Sequence, residues 1–287
     1  MEERGPRGHF RYRPDAAGNL LEKPGLKNVV LAQGNRLARA NGEVFVYDHR
    51  NHMVERHPWD GTCIRYRYDS ADMLVSIEDG CGEPWTAAYD ALGRRIRCGR
   101  GGQQTWFYWD GERLAAELTP GGQLRIYVYA APDSLVPLLF VDYDRVDAAP
   151  ESGRTYILLV NQAGVPTRVE AASGQVVWRA ACVEPYGHVE LEPSPQIELA
   201  LRFPGHYHDR DTGLFYNRFR YYDPVLGRYL QSDPIGTAGG INVYAYAPNP
   251  LVQFDVLGLA HKSKGKTSKK KKTLVETAPT PTRLSRP

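Results

Sequence analysis

Cysteine is scarce. Four residues in 287, Cys63, Cys81, Cys98 and Cys182, are all the chain has, and no two stand at C-x-x-C spacing. That spacing excludes a ready zinc or dithiol redox motif and leaves free thiols as the expectation, with a Cys63–Cys81 bridge between neighbouring repeats left open. Long apolar runs are missing as well: no window approaches the ~18 consecutive apolar residues of a membrane span. The opening residues Met1-Glu2-Glu3-Arg4-Gly5-Pro6 contain no apolar stretch of the kind a Sec signal needs, so the expectation is a soluble product whose export uses another signal. Only three methionines and long alternating stretches argue against a helical bundle. Strong net charge is lacking too, but the total of +3 conceals a split. Residues 260–287 carry seven Lys and two Arg against one Glu, a net +8, which leaves the remainder at −5. The chain therefore reads as a mildly acidic body with a basic tail, a charge arrangement found in interaction arms.

What is present is aromatic and periodic. Tyr47-Asp48, Tyr68-Asp69 and Tyr89-Asp90 recur every 21 residues, Trp109-Asp110 follows after 20, and Gly61, Gly82 and Gly102 each precede an aromatic by seven. A fixed period near 20 residues is the mark of a repeat architecture. Within each unit, Ile64-Arg65-Tyr66-Arg67-Tyr68 alternates side to side, as does Leu124-Arg125-Ile126-Tyr127-Val128-Tyr129. Alternation of period two denotes strands with one packed and one solvated face. The Asp after each aromatic is expected to open a turn through its short side chain, and Met73–Ile77 or Arg94–Arg97 to return. Each repeat is then about one hairpin, marginal alone and stable when stacked. The fold class expected is mainly β: stacked hairpins forming a curved strip.

Around these repeats the chain divides into an irregular polar segment over 1–40, with a degenerate repeat at Phe10–Asp15 leading to Gly18; the clear repeats over 41–130; a connecting loop and a last β unit over 131–204; a glycine-, tyrosine- and proline-dense segment over 205–259 holding short strands and one short helix; and a disordered basic tail over 260–287. Trp85, Trp106 and Trp178 read as core or strand-face aromatics. His206-Tyr207-His208-Asp209 has too few ligands for a metal site, and Gly265-Lys266-Thr267 lacks both the glycine spacing and the preceding strand of a P-loop. Neither a cofactor nor a metal is expected.

The 21-residue units resemble the YD repeats of bacterial Rhs proteins and of toxin-complex C subunits. Asn161-Gln162-Ala163-Gly164-Val165-Pro166 with Val177-Trp178-Arg179-Ala180 is similar to the family's last repeat. Asp211–Pro224, continued by Leu226-Gly227-Arg228-Tyr229-Leu230-Gln231-Ser232-Asp233-Pro234-Ile235-Gly236 and by Asn242–Tyr246, resembles the Rhs-associated core. The resemblance covers about residues 40–259. It implies a β-strip that forms part of a hollow shell, closed by the core as a small irregular plug, in a polymorphic toxin made in the bacterial cytoplasm and secreted by a non-Sec route. It also implies, as partners, a further YD-repeat chain or shell, components of a secretion apparatus and an immunity protein. Four clear repeats are too few to enclose a cargo, and the 28 residues after Leu259 are too few and too polar for a toxin fold, so the chain is expected to be the C-terminal fragment of a larger shell, with the toxin lost or truncated and no toxin enzyme activity.

The resemblance further implies an aspartic autopeptidase acting in cis, with Arg210, Asp211 and Asp223 as its catalytic set and Leu259–Ala260 as the bond cut. Two carboxylates brought together can share a proton, one activating water and the other polarising the carbonyl, while an arginine orients them through its fork of donors. The chain departs from the family's DPxGL target: Val256 stands where the proline would fix the backbone, and Thr237 replaces an apolar residue after Gly236. Asp211 and Asp223 can equally be turn formers beside Gly and Pro, and Asp233 and Asp255 are read as turn formers. Two other functions stay open: a non-catalytic β-repeat binding module, and, more weakly, nucleic-acid binding through the Lys-rich tail.

Overall fold

The computed structural model describes residues 2–5, 8–247, 253–259 and 262–263. Sixteen strands follow one another as a single antiparallel meander, from Val30–Leu31 at one edge to Val189–Leu191 at the other, each pairing with its neighbours in sequence. The hairpins expected from the repeats are there, each turning at its aspartate: Glu43–Tyr47 with Met53–His57, Ile64–Tyr68 with Leu74–Glu78, Trp85–Tyr89 with Arg95–Arg100.

The repeat aromatics serve one purpose. Tyr68 Oη donates to the Met53 carbonyl at 2.8 Å, Tyr89 Oη to Leu74 at 2.6 Å, Trp109 Nε1 to Arg95 at 2.7 Å and Tyr129 Oη to Leu114 at 2.8 Å. Each bond reaches back about 15 residues and ties one hairpin to the one before. The pairing register shifts at Tyr47, Tyr89 and Trp109, and between Leu74 and Ser76 opposite Tyr68, so a bulge beside each aromatic re-aims it and bends the strip.

The aspartates make the turns. Oδ1 of Asp48, Asp69 and Asp90 accepts the backbone N–H two and four residues on. Asp15 and Asn161 do the same. The fourth residue of this turn has positive φ, which is why it is Asn51, Asp72, Gly93 or Gly164. Asp110 departs from the pattern. There the strand runs on through the aspartate, a two-residue turn at Gly111 reverses the chain, and the carboxylate pairs with Arg113.

Three expectations need correction. Residues 1–40 are not irregular: Arg13–Pro14 pairs with Leu20–Glu22, and Val30–Leu31 and Leu37–Ala40 are the first strands of the strip. The segment 131–153 is not only a loop, since Leu139–Tyr143 pairs on both sides, with Leu124–Val128 and Arg154–Val160; its prolines stand outside the strand. Lys262–Ser263 pairs with Gln253–Phe254, so the basic tail begins as strand; the rest of it lies outside the described residues. The short helix of the glycine-dense segment is a 3-10 turn at Gly236–Ala238.

One face of the strip is solvated, presenting Val44, Arg65, Trp106 and Ile126; the other buries Phe45, Tyr66, Phe107 and Tyr127. Against the buried face sit residues 205–247 and 253–259, a four-stranded sheet of Tyr207–His208, Phe215–Asn217, Arg220–Asp223 and Arg228–Tyr229 with loops that follow it. It touches the strip along its whole length. Arg228 donates to the Asn35 carbonyl, Met53 N–H to the Leu230 carbonyl, Tyr89 and Tyr221 share a hydroxyl bond at 3.0 Å, and Arg218 pairs with Glu112 at 2.6 Å. Deepest is Arg95, buried with Asp209 at 2.5 Å and held over the rings of Tyr216 and Phe107. The first and last strands do not pair, but the segments beside them meet: Tyr12 stacks on Tyr186, and Lys23 approaches Glu184 at 3.6 Å. The strip thus curls around a plug without closing into a barrel. None of the four cysteines is in a disulfide; Cys98 is buried and Cys81 exposed.

Candidate functional site

The aspartates and the arginine expected to form a catalytic set occupy two neighbourhoods. Arg210 is exposed and pairs with Glu198. Asp211 is exposed in the turn before Phe215–Asn217, its carbonyl facing Arg100 at 3.4 Å. Asp223 is buried; Oδ1 caps the N–H groups of Val225 and Leu226, and Oδ2 accepts from Arg56 at 3.2 Å. Arg100 and Arg56 stand on strands with three others between them, Ile64–Tyr68, Leu74–Glu78 and Trp85–Tyr89. Asp211 and Asp223 therefore address different parts of the strip. Ala260, on the far side of the expected bond, lies outside the described residues.

Another carboxylate pair lies at the centre of the plug. Arg220 Nη2 donates to Asp255 Oδ2 at 2.8 Å and stands 3.2 Å from Asp233 Oδ2. All three side chains are buried. The guanidinium lies 3.7 Å from the centre of the Tyr229 ring, and Nη1 donates to the Val243 carbonyl at 3.0 Å. Tyr229 Oη donates to Asp255 Oδ2 at 3.2 Å, and Asn217 Nδ2 bridges Tyr229 Oη and the Asp255 carbonyl. Each aspartate starts a turn: Asp233 Oδ1 takes the Ile235 N–H at 3.0 Å, and Asp255 Oδ1 takes the Leu259 N–H at 2.9 Å. Turn formation, the role read from sequence, is thus one of two things these residues do; the other is to place two carboxylates on one guanidinium nitrogen.

Leu259 is seated at this centre. Its N–H is on Asp255, and its carbonyl oxygen comes so near Gly239 that a Cβ there would lie 2.8 Å from it and 2.3 Å from Asp233 Oδ2. Only glycine fits between them. Gly258 is constrained likewise, with φ of 69° and the Asn217 carbonyl 2.8 Å from where a Cβ would stand. Val256, in place of a proline, leaves the segment docked, its carbonyl against Gly205. Next to it, Leu257 helps line an apolar cavity of about 50 Å³ between plug and strip, walled by Trp109, Leu114, Tyr129 and Leu158.

Sequence reasoning missed Asp233, Asp255 and Arg220 as a set. A signal existed for the first two: Asp233-Pro234-Ile235-Gly236 and Asp255-Val256-Leu257-Gly258 share the form Asp-x-x-Gly. Nothing marked Arg220 among so many arginines. The His206-Tyr207-His208-Asp209 run is split by its alternation along the chain. His206 is enclosed by Phe203, Phe215, Tyr222 and Tyr246, His208 takes a bond from Arg202, and Asp209 serves Arg95. Burial pushes both imidazoles down to about 3 and the Asp209 carboxyl up, the latter against the pull of Arg95.

The Teneurin YD-shell family model matches residues 4–251. Double-stranded DNA deaminase toxin A of Burkholderia cenocepacia is 35% identical over 271 residues, covering 86% of this chain and 19% of that protein. Toxin protein Tse5 of Pseudomonas aeruginosa is 35% identical over 264 residues, covering 79% of this chain and 19% of its own length. The chain thus spans about a fifth of these relatives. Among solved structures, the Photorhabdus luminescens Tc holotoxin pore matches with a TM-score of 0.52 at 15% identity, over 90% of this chain and 17% of that one, a likeness of fold.

Proposed function

Because the chain belongs to the Rhs/YD-repeat toxin family, with the strip-and-plug scaffold of toxin-delivery shells, we propose that its plug is an aspartic autopeptidase that cuts after Leu259. The observation that carries this is the shared guanidinium: Arg220 holds Asp233 and Asp255 together while Leu259 is bonded to Asp255 and turns its carbonyl oxygen to the same side of Gly239 as the Asp233 carboxylate. An aspartic pair works with one carboxyl ionised and one protonated. The ionised one takes a proton from water, whose oxygen attacks the Leu259 carbonyl carbon; the protonated one hydrogen-bonds the carbonyl oxygen. The departing nitrogen of Ala260 then takes a proton, leaving a new carboxyl on Leu259 and a new amine on Ala260. Water is the only co-reactant. Burial of the pair makes these charge effects stronger than they would be in solvent.

Arg210, Asp211 and Asp223 form the competing set, supported by the family resemblance. Intact mass after expression of the full chain separates the two. The expected result is loss of residues 260–287 from the wild-type chain and from Asp211→Asn and Asp223→Asn, with Asp233→Asn and Asp255→Asn left whole. Blocking by Asp211→Asn and Asp223→Asn alone transfers the chemistry to that set, and an uncut wild-type chain ends the autopeptidase reading while leaving the scaffold. In the larger assembly, the same reading has the strip continued by further YD repeats at its terminal strands, each of which pairs on one side only among the described residues, and the product exported from a bacterial cytoplasm by a route other than Sec, as a toxin-family role requires.

A further inference from the structure

On the solvated face of the strip, far in sequence from the plug, three unlike metal-binding side chains converge. We propose that Glu55, His57 and Cys63 form a zinc site that clips the strand Met53–His57 to the start of Ile64–Tyr68. One ligand atom of each lies within 4.8 Å of the other two. The fold explains the convergence. Glu55 pairs with Arg65 and Arg56 with Ile64, so the next antiparallel step sets His57 opposite Cys63. Alternation puts Glu55 and His57 on one face, while Arg56 between them turns inward to Asp223. The loop joining the strands is a built turn: Asp60 Oδ1 accepts from the Thr62 N–H and hydroxyl at 2.9 and 2.8 Å, and Gly61 N–H returns to the Pro58 carbonyl. Glu55 Oε2 lies 2.9 Å from His57 Nε2, so the imidazole is already aimed at the cluster.

The donor set selects the metal. A thiolate, an imidazole and a carboxylate suit a borderline cation in tetrahedral geometry, which is zinc chemistry, and three protein ligands leave the fourth position to water. Hard cations such as calcium and magnesium want more oxygen than this site holds. Binding replaces the thiol proton: one Cys63 S–H bond breaks, one sulfur–metal bond forms, and one proton enters solvent. Arg65, 3.4 Å from Glu55 Oε1, is half exposed and free to swing aside.

Cobalt(II) titration of the full chain, with zinc as competitor, tests this. Expected is a thiolate-to-cobalt charge-transfer band saturating at one metal per chain and bleached by zinc. The band disappears in Cys63→Ser and persists in Cys81→Ser and Cys182→Ser. His57→Asn and Glu55→Gln each weaken binding by at least about tenfold, the loss that even an outer-shell change brings. Far-ultraviolet circular dichroism confirms that each variant is folded. A wild-type chain without the band, or a band that survives Cys63→Ser, overturns the proposal.

Discussion

His206 shows how much a single residue's surroundings decide. Its ring is fully enclosed by four aromatic rings, and both nitrogens are without a hydrogen-bond partner. A charge there would be unsolvated, so the folded chain keeps the imidazole neutral down to about pH 3, whereas the unfolded chain protonates it near 6.5. Its folded value is depressed, so the associated stability is fully present above 6.5 and is lost as the pH falls toward 3, at up to about 1.4 kcal/mol per pH unit. His208, also held near 3 but partly exposed, adds a smaller loss over the same window. Urea unfolding at pH 7, 6 and 5 should show wild-type stability falling, and His206→Phe should flatten the decline; parallel curves would mean that His206 titrates normally.

At the scale of the hairpin, an identical aspartate does different work in successive repeats. Asp90 caps two N–H groups and pairs with Arg94 at 2.7 Å. Asp110 lies at the end of a strand that does not stop for it, and its exposed side chain only meets Arg113. Asp90→Ala should cost about 1–2 kcal/mol, the usual worth of a lost cap. Asp110→Ala should cost about 0.5 kcal/mol or less, as for an exposed ion pair. Urea midpoints at unchanged slope measure both, and equal losses would contradict the assignment of turns. The hairpins themselves were legible because period and alternation are local properties. The strand Leu139–Tyr143 was less so, because prolines on both sides of it look like loop, and pairing with two neighbours outweighs that local signal.

For the whole molecule, strip and plug stabilise each other. The strip's inner face carries Trp85, Phe107 and Trp109, whose rings meet those of Tyr221, Tyr207 and Tyr216 of the plug. A chain ending at residue 204 would expose that face and strand the Arg95 charge without Asp209. It should bind a hydrophobic dye and self-associate as its concentration rises; a monomeric, dye-silent strip would show that the plug is dispensable to folding.

The sequence by itself determined the repeat, the turn chemistry, the β class and the family, because each rests on spacing along the chain or on contiguous residues. The tertiary structure decided which aspartates meet. Asp211 and Asp223 look paired in sequence, yet they reach Arg100 and Arg56 on strands separated by three others. Asp233 and Asp255 look like two ordinary turns, yet one arginine from a neighbouring strand gathers both. Charges buried together are set by the path of the chain through space, and no linear interval records that path.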